Sequence, residues 1–131
     1  MIFVYLFPFL LKKLQVHPLT SSLYPLSLGK HSDIFYQINK KNSDHHSLLY
    51  CQSTSATLDY KNKVREVKSG DLVIIPANAS FKFTAVHIEN NSEIKNKSGK
   101  VYWLNFKGDL ASNFAERLLM KMDDGLAHVG N

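Results

Sequence analysis

The stretch Glu66-Val67-Lys68-Ser69-Gly70-Asp71-Leu72-Val73-Ile74-Ile75-Pro76 constrains this chain more than any other. It reads as the end of one strand, a tight turn over residues 69–71, and a second strand closed by a proline. Gly70 can take a positive φ without a Cβ penalty, and Asp71 can bond the backbone beside it. Residues 72–75 form a short, β-branched apolar run bounded by turn signals, which suits a buried strand better than a helix. Pro76 cannot donate to a ladder, so the strand ends there.

Other segments repeat this grammar. Residues 34–38 and 47–52 read as strands, separated by a polar loop over 39–45. Residues 56–60 and 63–67 form a hairpin around a turn at Lys61-Asn62. Phe81-Lys82-Phe83-Thr84-Ala85-Val86 alternates with period two, so one face is buried. Residues 87–100 are a long polar loop, and 101–106 the last strand. Asp109 then offers an N-cap. Leu110, Phe114, Leu118 and Met122 follow at i, i+4, i+8 and i+12, an apolar helical stripe with Ala111, Ala115 and Leu119 beside it. Gly125 is a candidate C′ residue closing that helix. Pro18 and Pro25 make residues 17–29 an extended, irregular lead-in. The pattern predicts a mainly β fold: a small antiparallel barrel or sandwich followed by a C-terminal α-helix.

Composition narrows the classes. The 131 residues are about one domain's worth, with 44% hydrophobic and 21% charged residues and a net charge of +5. The lysines are scattered, no helix carries a basic stripe, and no helix-turn-helix pattern occurs, so a solvated basic surface is favoured over direct DNA binding. Cys51 is the single cysteine. It excludes an intrachain disulfide framework and a Cys-based zinc site, and it reads as an inert core thiol in a reducing cytoplasm. The sequons at Asn78, Asn90 and Asn96 read as chance. The apolar residues 1–11 are too short to span a bilayer and lack the basic start and small-residue cleavage site of a signal peptide. A strand or short helix packed on the barrel, or an arm buried at a partner surface, is favoured over a cleaved or membrane-associated segment.

The turn at Gly70-Asp71 and Pro76 resembles the Gly-Asp-x-x-x-x-Pro element of cupin barrels. Tyr102-Trp103, Phe106 and Gly108, followed by a helix, narrow the resemblance to the N-terminal, effector-binding domain of AraC-family transcription regulators. The match covers residues 33–122 and implies a cupin-like, jelly-roll barrel. The expected organisation is a lead-in over 1–30, a barrel over 31–108, and a helix with a short tail over 109–131. It also implies a small-molecule effector, often a sugar, held in the barrel, and a capacity to form a homodimer. DNA would be bound only through a C-terminal domain absent from this chain, which would make the chain an excised fragment or a truncated stand-alone module. Thr54-Ser55-Ala56 replaces the usual glycine-containing turn. The arginine often found before the first long strand is absent, and Gln37, Asn39 or Lys40 would have to substitute.

Catalytic and metal chemistry find little support. In metal-binding cupins a histidine follows the Gly-Asp element, where this chain has Phe81. Asn78 stands in the place of a turn glycine, which asparagine tolerates because it visits the left-handed region. His45 and His46 are adjacent and would face opposite sides of a strand, so they cannot chelate one ion. His17, His31, His87 and His128 are scattered and read as exposed. Asp44, His45 and Ser47 are adjacent in sequence, which does not make a triad. The glycines are isolated, so no phosphate-cradling loop is present. No metal, no cofactor and no catalysis are expected. On the last strand Val101, Trp103 and Asn105 share one face. An indole beside an amide suits a polar ring: the ring stacks on the indole and hydroxyls bond the amide. Phe81 and Phe83 share a face of their own strand and could line the same cavity. The ligand-binding candidates are therefore Trp103, Val101, Asn105, Phe81 and Phe83, although aromatics in a small barrel more often fill a core than contact a ligand. The expected function is an effector-sensing regulatory domain, cytoplasmic and without membrane contact. The alternatives are a small cupin enzyme such as a sugar isomerase or epimerase, or an interaction module with a filled interior.

Overall fold

A computed structural model of the chain describes residues 2–5, 12–13, 15–16, 22–32, 35–86 and 99–130. The elements are β1 (Ile2–Tyr5), β2 (Tyr24–His31), β3 (Phe35–Lys40), β4 (His46–Gln52), β5 (Ala56–Tyr60), β6 (Lys63–Val67), β7 (Asp71–Ile75), β8 (Phe81–Val86), β9 (Lys100–Lys107), α1 (Ala111–Leu119) and β10 (Leu126–His128). Two antiparallel sheets result, of order β1-β2-β9-β4-β7-β10 and β3-β8-β5-β6. Among the described residues no strand pair joins the two ladders. The arrangement is a two-sheet jelly roll, cupin-like as expected, whose interior lies between the sheets.

Alternation decides what fills that interior. On β5, Ala56, Leu58 and Tyr60 are buried while Thr57 and Asp59 face solvent. On β8, Phe81, Phe83 and Ala85 point inward. They meet Leu49 and Cys51 of β4, Val73 and Ile75 of β7 and Val101 of β9 in one cluster. Burial pushes the Cys51 thiol up to about 12, with Asp71 adding to the shift, so it stays a neutral core residue.

β7 is apolar on both faces because both are covered. Val73 and Ile75 face the other sheet, whereas Ile74 joins Phe106, Ala111 and Ala115 beneath α1. The helix therefore presents a different stripe from the one expected. Ala111 and Ala115 are buried, with Leu118, Leu119 and Met122 beside them, while Leu110 is 53% and Phe114 43% exposed. Small residues let the helix approach the bulky surface of Ile74 and Phe106; Phe114 reaches only the edge of the Phe106 ring, 5.8 Å away. The helix is also shorter than expected. Its N-cap is Leu110, not Asp109, and no side chain caps it. Its entry is held instead by Leu110 N–H donating to Ser22 O (2.8 Å) and Ala111 N–H to Gly108 O (3.0 Å). Gly125 lies beyond the helix, in the turn that starts β10, with φ +81°.

The turns follow their residues. Gly70 sits at φ +88°, and a Cβ there would lie 2.8 Å from the His128 ring. Asp71 Oδ2 accepts Lys68 N–H at 2.8 Å, closing the turn through its own side chain. Lys61 and Asn62 both have positive φ, the two-residue turn that matches strand twist. Asn78 has φ +66°, the left-handed conformation its sequence position calls for.

Residues 24–31 depart from expectation. They form strand β2 instead of an irregular lead-in, bonded to β1 on one side and β9 on the other. Pro25 falls at a register shift between Pro25 and Ser27, an irregularity of the kind at which strands accept proline. Within the apolar N-terminal segment, residues 2–5 are a strand on this sheet; residues 6–11 lie outside the described residues, as do the loop residues 87–98, and with them His17, His87, Asn90 and Asn96.

Candidate functional site

A cavity of about 170 Å³ is lined by residues of both sheets. Strand β3 supplies Tyr36, Ile38 and Lys40, the inward half of its alternation. Ser47 and Leu49 come from β4, Phe81 from β8, and Trp103 and Asn105 from β9. Of the residues singled out in the sequence, Trp103, Asn105 and Phe81 meet at this cavity. Phe83 and Val101 lie deeper, in the packed core, at 0% and 2% exposure. Of the three candidates to replace an absent arginine, Lys40 faces the cavity, while Gln37 and Asn39 are on the exposed face of β3.

A polar ladder crosses the cavity wall. Ser27, Asn105 and Ser47 are register partners on β2, β9 and β4. Ser47 Oγ donates to Asn105 Oδ1 at 2.8 Å, and Asn105 Nδ2 donates to Ser27 Oγ at 3.0 Å. Both serines are buried, so the ladder satisfies groups that would otherwise be costly to desolvate. Beside it, Trp103 Nε1 is buried and has no hydrogen-bond partner among the described residues. A buried, unpaired donor is uncommon and calls for an acceptor.

The rim is charged. Lys40 Nζ donates to His45 Nε2 at 2.8 Å, and Ser43 Oγ lies 3.1 Å from the same nitrogen. His45 Nδ1 donates to Asp44 Oδ1 at 3.1 Å, and Lys107 Nζ reaches Asp44 Oδ2 at 3.3 Å. The network assigns the Nδ1–H tautomer to His45. Burial, and then the Lys40 charge, pushes His45 down and keeps it neutral as an acceptor. Burial also pushes Lys40 down, partly offset by Asp44. Asp44, largely exposed, is lowered by its bonds to His45 and Lys107.

The other histidines are placed by packing. His46 is buried on the opposite side of β4, stacked on Phe106 at 5.2 Å, and its Nδ1 accepts Ala77 N–H at 3.0 Å. His31, expected to be exposed, is instead buried and stacked on Tyr36 at 4.1 Å. His128 bonds Asp71 at 2.8 Å and joins β10 to the Gly70 turn. Among the described residues no three His, Cys, Asp or Glu side chains converge as metal ligands, and no helix is long and apolar enough to cross a membrane.

Sequence reasoning missed Tyr36, Ile38, Ser47 and Leu49 as cavity residues. The alternation of β3 was a usable signal for the first two. Ser47 is legible only once β4 and β9 are in register.

The fold and cavity define a cupin-like domain with a small, partly polar interior. No family model matches the chain. Among curated proteins it is 30% identical over 112 residues to the MmsAB operon regulatory protein of Pseudomonas aeruginosa, a match over 79% of this chain and 33% of that protein. The chain thus spans about a third of the length of the curated relative it matches. Among solved structures it is similar to ToxT of Vibrio cholerae at 15% identity, over 76% of this chain and 36% of that one, TM-score 0.45. It is also similar to a cupin 2 conserved barrel domain protein from Leptotrichia buccalis, at 15% identity, over 66% of this chain and 40% of that one, TM-score 0.44. The chain is similar to AraC-type regulators in a cupin-like regulatory domain.

Proposed function

We propose that this chain is the effector-sensing domain of a cytoplasmic transcription regulator of AraC type, that it carries no catalysis, and that it takes a small molecule into the cavity between its sheets. The observation that carries the reading is the meeting at one opening of Trp103 with Asn105 and Ser47, whose ladder runs on to Ser27 behind them. An apolar face beside a few convergent polar groups is what a small-molecule site requires. The volume of about 170 Å³ is below the roughly 300–1,000 Å³ of drug-sized pockets, so the effector is small. A carbohydrate is the first candidate, stacked on the indole. Regulation would follow by linkage: an effector that prefers one arrangement of the domain, or its dimer over its monomer, shifts that equilibrium by its differential affinity alone. DNA would be engaged by a further domain.

Trp103 is the single tryptophan, so intrinsic fluorescence reports on the cavity directly. A screen of monosaccharides, uronic acids and small phenolics by fluorescence and thermal shift tests the reading. A ligand at 100 times its dissociation constant should add about 2.7 kcal/mol of stability. Trp103→Phe should weaken a stacked ligand and leave the fold intact. A ligand bound equally well by that variant would remove Trp103 from the site, and turnover of a sugar would favour the isomerase or epimerase alternative.

A further inference from the structure

The polar groups facing the cavity are unequally balanced between donors and acceptors. Asn105 spends its oxygen on Ser47 and one N–H on Ser27; its second N–H has no partner among the described residues. Trp103 Nε1–H is buried and likewise unpartnered there. Lys40 spends one N–H on His45 Nε2, which leaves two on an ammonium. Among the described residues no aspartate or glutamate lines the opening. Asp44, the nearest carboxylate in the rim network, is already engaged by His45 and Lys107. Most of the unspent groups are therefore N–H donors, and one carries a positive charge; against them stands Ser47 Oγ, which gives its hydrogen to Asn105 and keeps acceptor lone pairs.

A neutral sugar brings a donor with every hydroxyl and no charge to set against the ammonium. A carboxylate brings only acceptors, about four lone-pair sites on two oxygens. From this imbalance we infer that the effector is a small carboxylic acid, bound as its anion, with its carboxylate on Lys40 and its uncharged part against the Trp103 indole. The inference rests on the cavity being an effector site. Lys40 is held in place for this role. His45 accepts its third hydrogen, Ser43 shares the same acceptor, and Asp44 fixes the imidazole from the other side. A pre-positioned ammonium loses little freedom when the anion arrives. Charge-assisted bonds in a half-buried site also exceed their neutral counterparts. Sugar acids satisfy both this inference and a stacked ring.

The test uses the 131-residue chain and three matched pairs: butyrate and butyramide, benzoate and benzamide, D-glucuronate and D-glucose. Trp103 fluorescence and calorimetry give the affinities at low ionic strength. At least one acid is expected to bind one-to-one, about 10- to 100-fold tighter than its neutral partner. Lys40→Met should bring that pair level, and Lys40→Arg should retain the preference. Unfolding temperatures of both variants show that the fold is kept. A neutral partner that binds as tightly as its acid, with no response to Lys40→Met, overturns the carboxylate and leaves an effector site standing. Failure of all six compounds overturns the carboxylate and counts against the effector reading as well.

Discussion

Replacing Ala115 with leucine tests the seating of α1 on the sheet. Ala115 is 1% exposed and Ala111 is 1% exposed, and both lie on Ile74 and Phe106, themselves 0% and 3% exposed. Nothing in that contact leaves room for the three extra carbons of leucine. The helix must lift or neighbouring side chains must leave their rotamers, at a cost of about 1–3 kcal/mol. For a chain of this length that corresponds to a fall in Tm of very roughly 3–15 °C. Leu110→Ser is the matched control. Leu110 is 53% exposed at an N-cap that no side chain satisfies, so serine there should be neutral within about 0.5 kcal/mol or slightly stabilising. Urea unfolding of both variants, followed by circular dichroism, gives the two values. The reasoning fails if Ala115→Leu is neutral while Leu110→Ser costs more than about 1 kcal/mol. That pair of results would mean that the helix docks by Leu110, Phe114 and Leu118, with the alanines outward.

That stripe shows where the sequence is readable and where it stops. Period-two alternation located β5 and β8 because each strand has one wet face and one dry one, and the turn at Lys61-Asn62 located β6 as the return strand of a hairpin. β7 was legible for the opposite reason, since a run apolar on both faces has to be covered on both. For α1 the large residues looked like the buried ones. Which stripe is buried depends on how closely the helix can approach Ile74 and Phe106, and the sequence of the helix alone does not contain that distance. β2 was hidden by Pro25 and Gly29, local signals overridden by two strand partners that no local window includes. β10 is three residues long and is defined only by pairing with Leu72 and its neighbours. The site divides in the same way. Trp103 and Asn105 follow from alternation within one strand. The Ser27–Asn105–Ser47 ladder and the Lys40–His45–Asp44 chain depend on register and loop closure, so no spacing rule announces them. His31 was read as a scattered, exposed histidine and His46 only as the neighbour of His45, yet each finds an aromatic partner from another element.

Gly108→Ala should be strongly destabilising, because φ is +130° and a Cβ there would collide with the backbone of Ser22; thermal unfolding measures it, and an unchanged Tm would refute the close approach. Cys51 should resist alkylation by iodoacetamide in the folded protein at pH 8 and react in urea, as its burial and raised pKa of about 12 require; native-state labelling at the rate of a free thiol would contradict the packing. Acidification from pH 7.5 to 5.5 should lower stability through His45 and His46, both pushed below the ordinary 6.5 by burial. The folded chain then binds fewer protons than the unfolded one, so stability is full above the unfolded value and is lost as pH falls from there toward the lowered folded values. The carboxylates Asp44 and Asp124 are themselves lowered from 3.8, so their contribution is lost only at more acid pH and stays out of this window. For His46 the cause is visible: its Nδ1 accepts Ala77 N–H, a bond that a proton on Nδ1 abolishes, leaving a cation stacked on Phe106. His46→Asn keeps an acceptor and cannot titrate, so its unfolding midpoint in urea should depend less on pH between 7.5 and 5.5. A wild type that gains stability on acidification, or a variant with the same slope as the wild type, would remove His46 from the account.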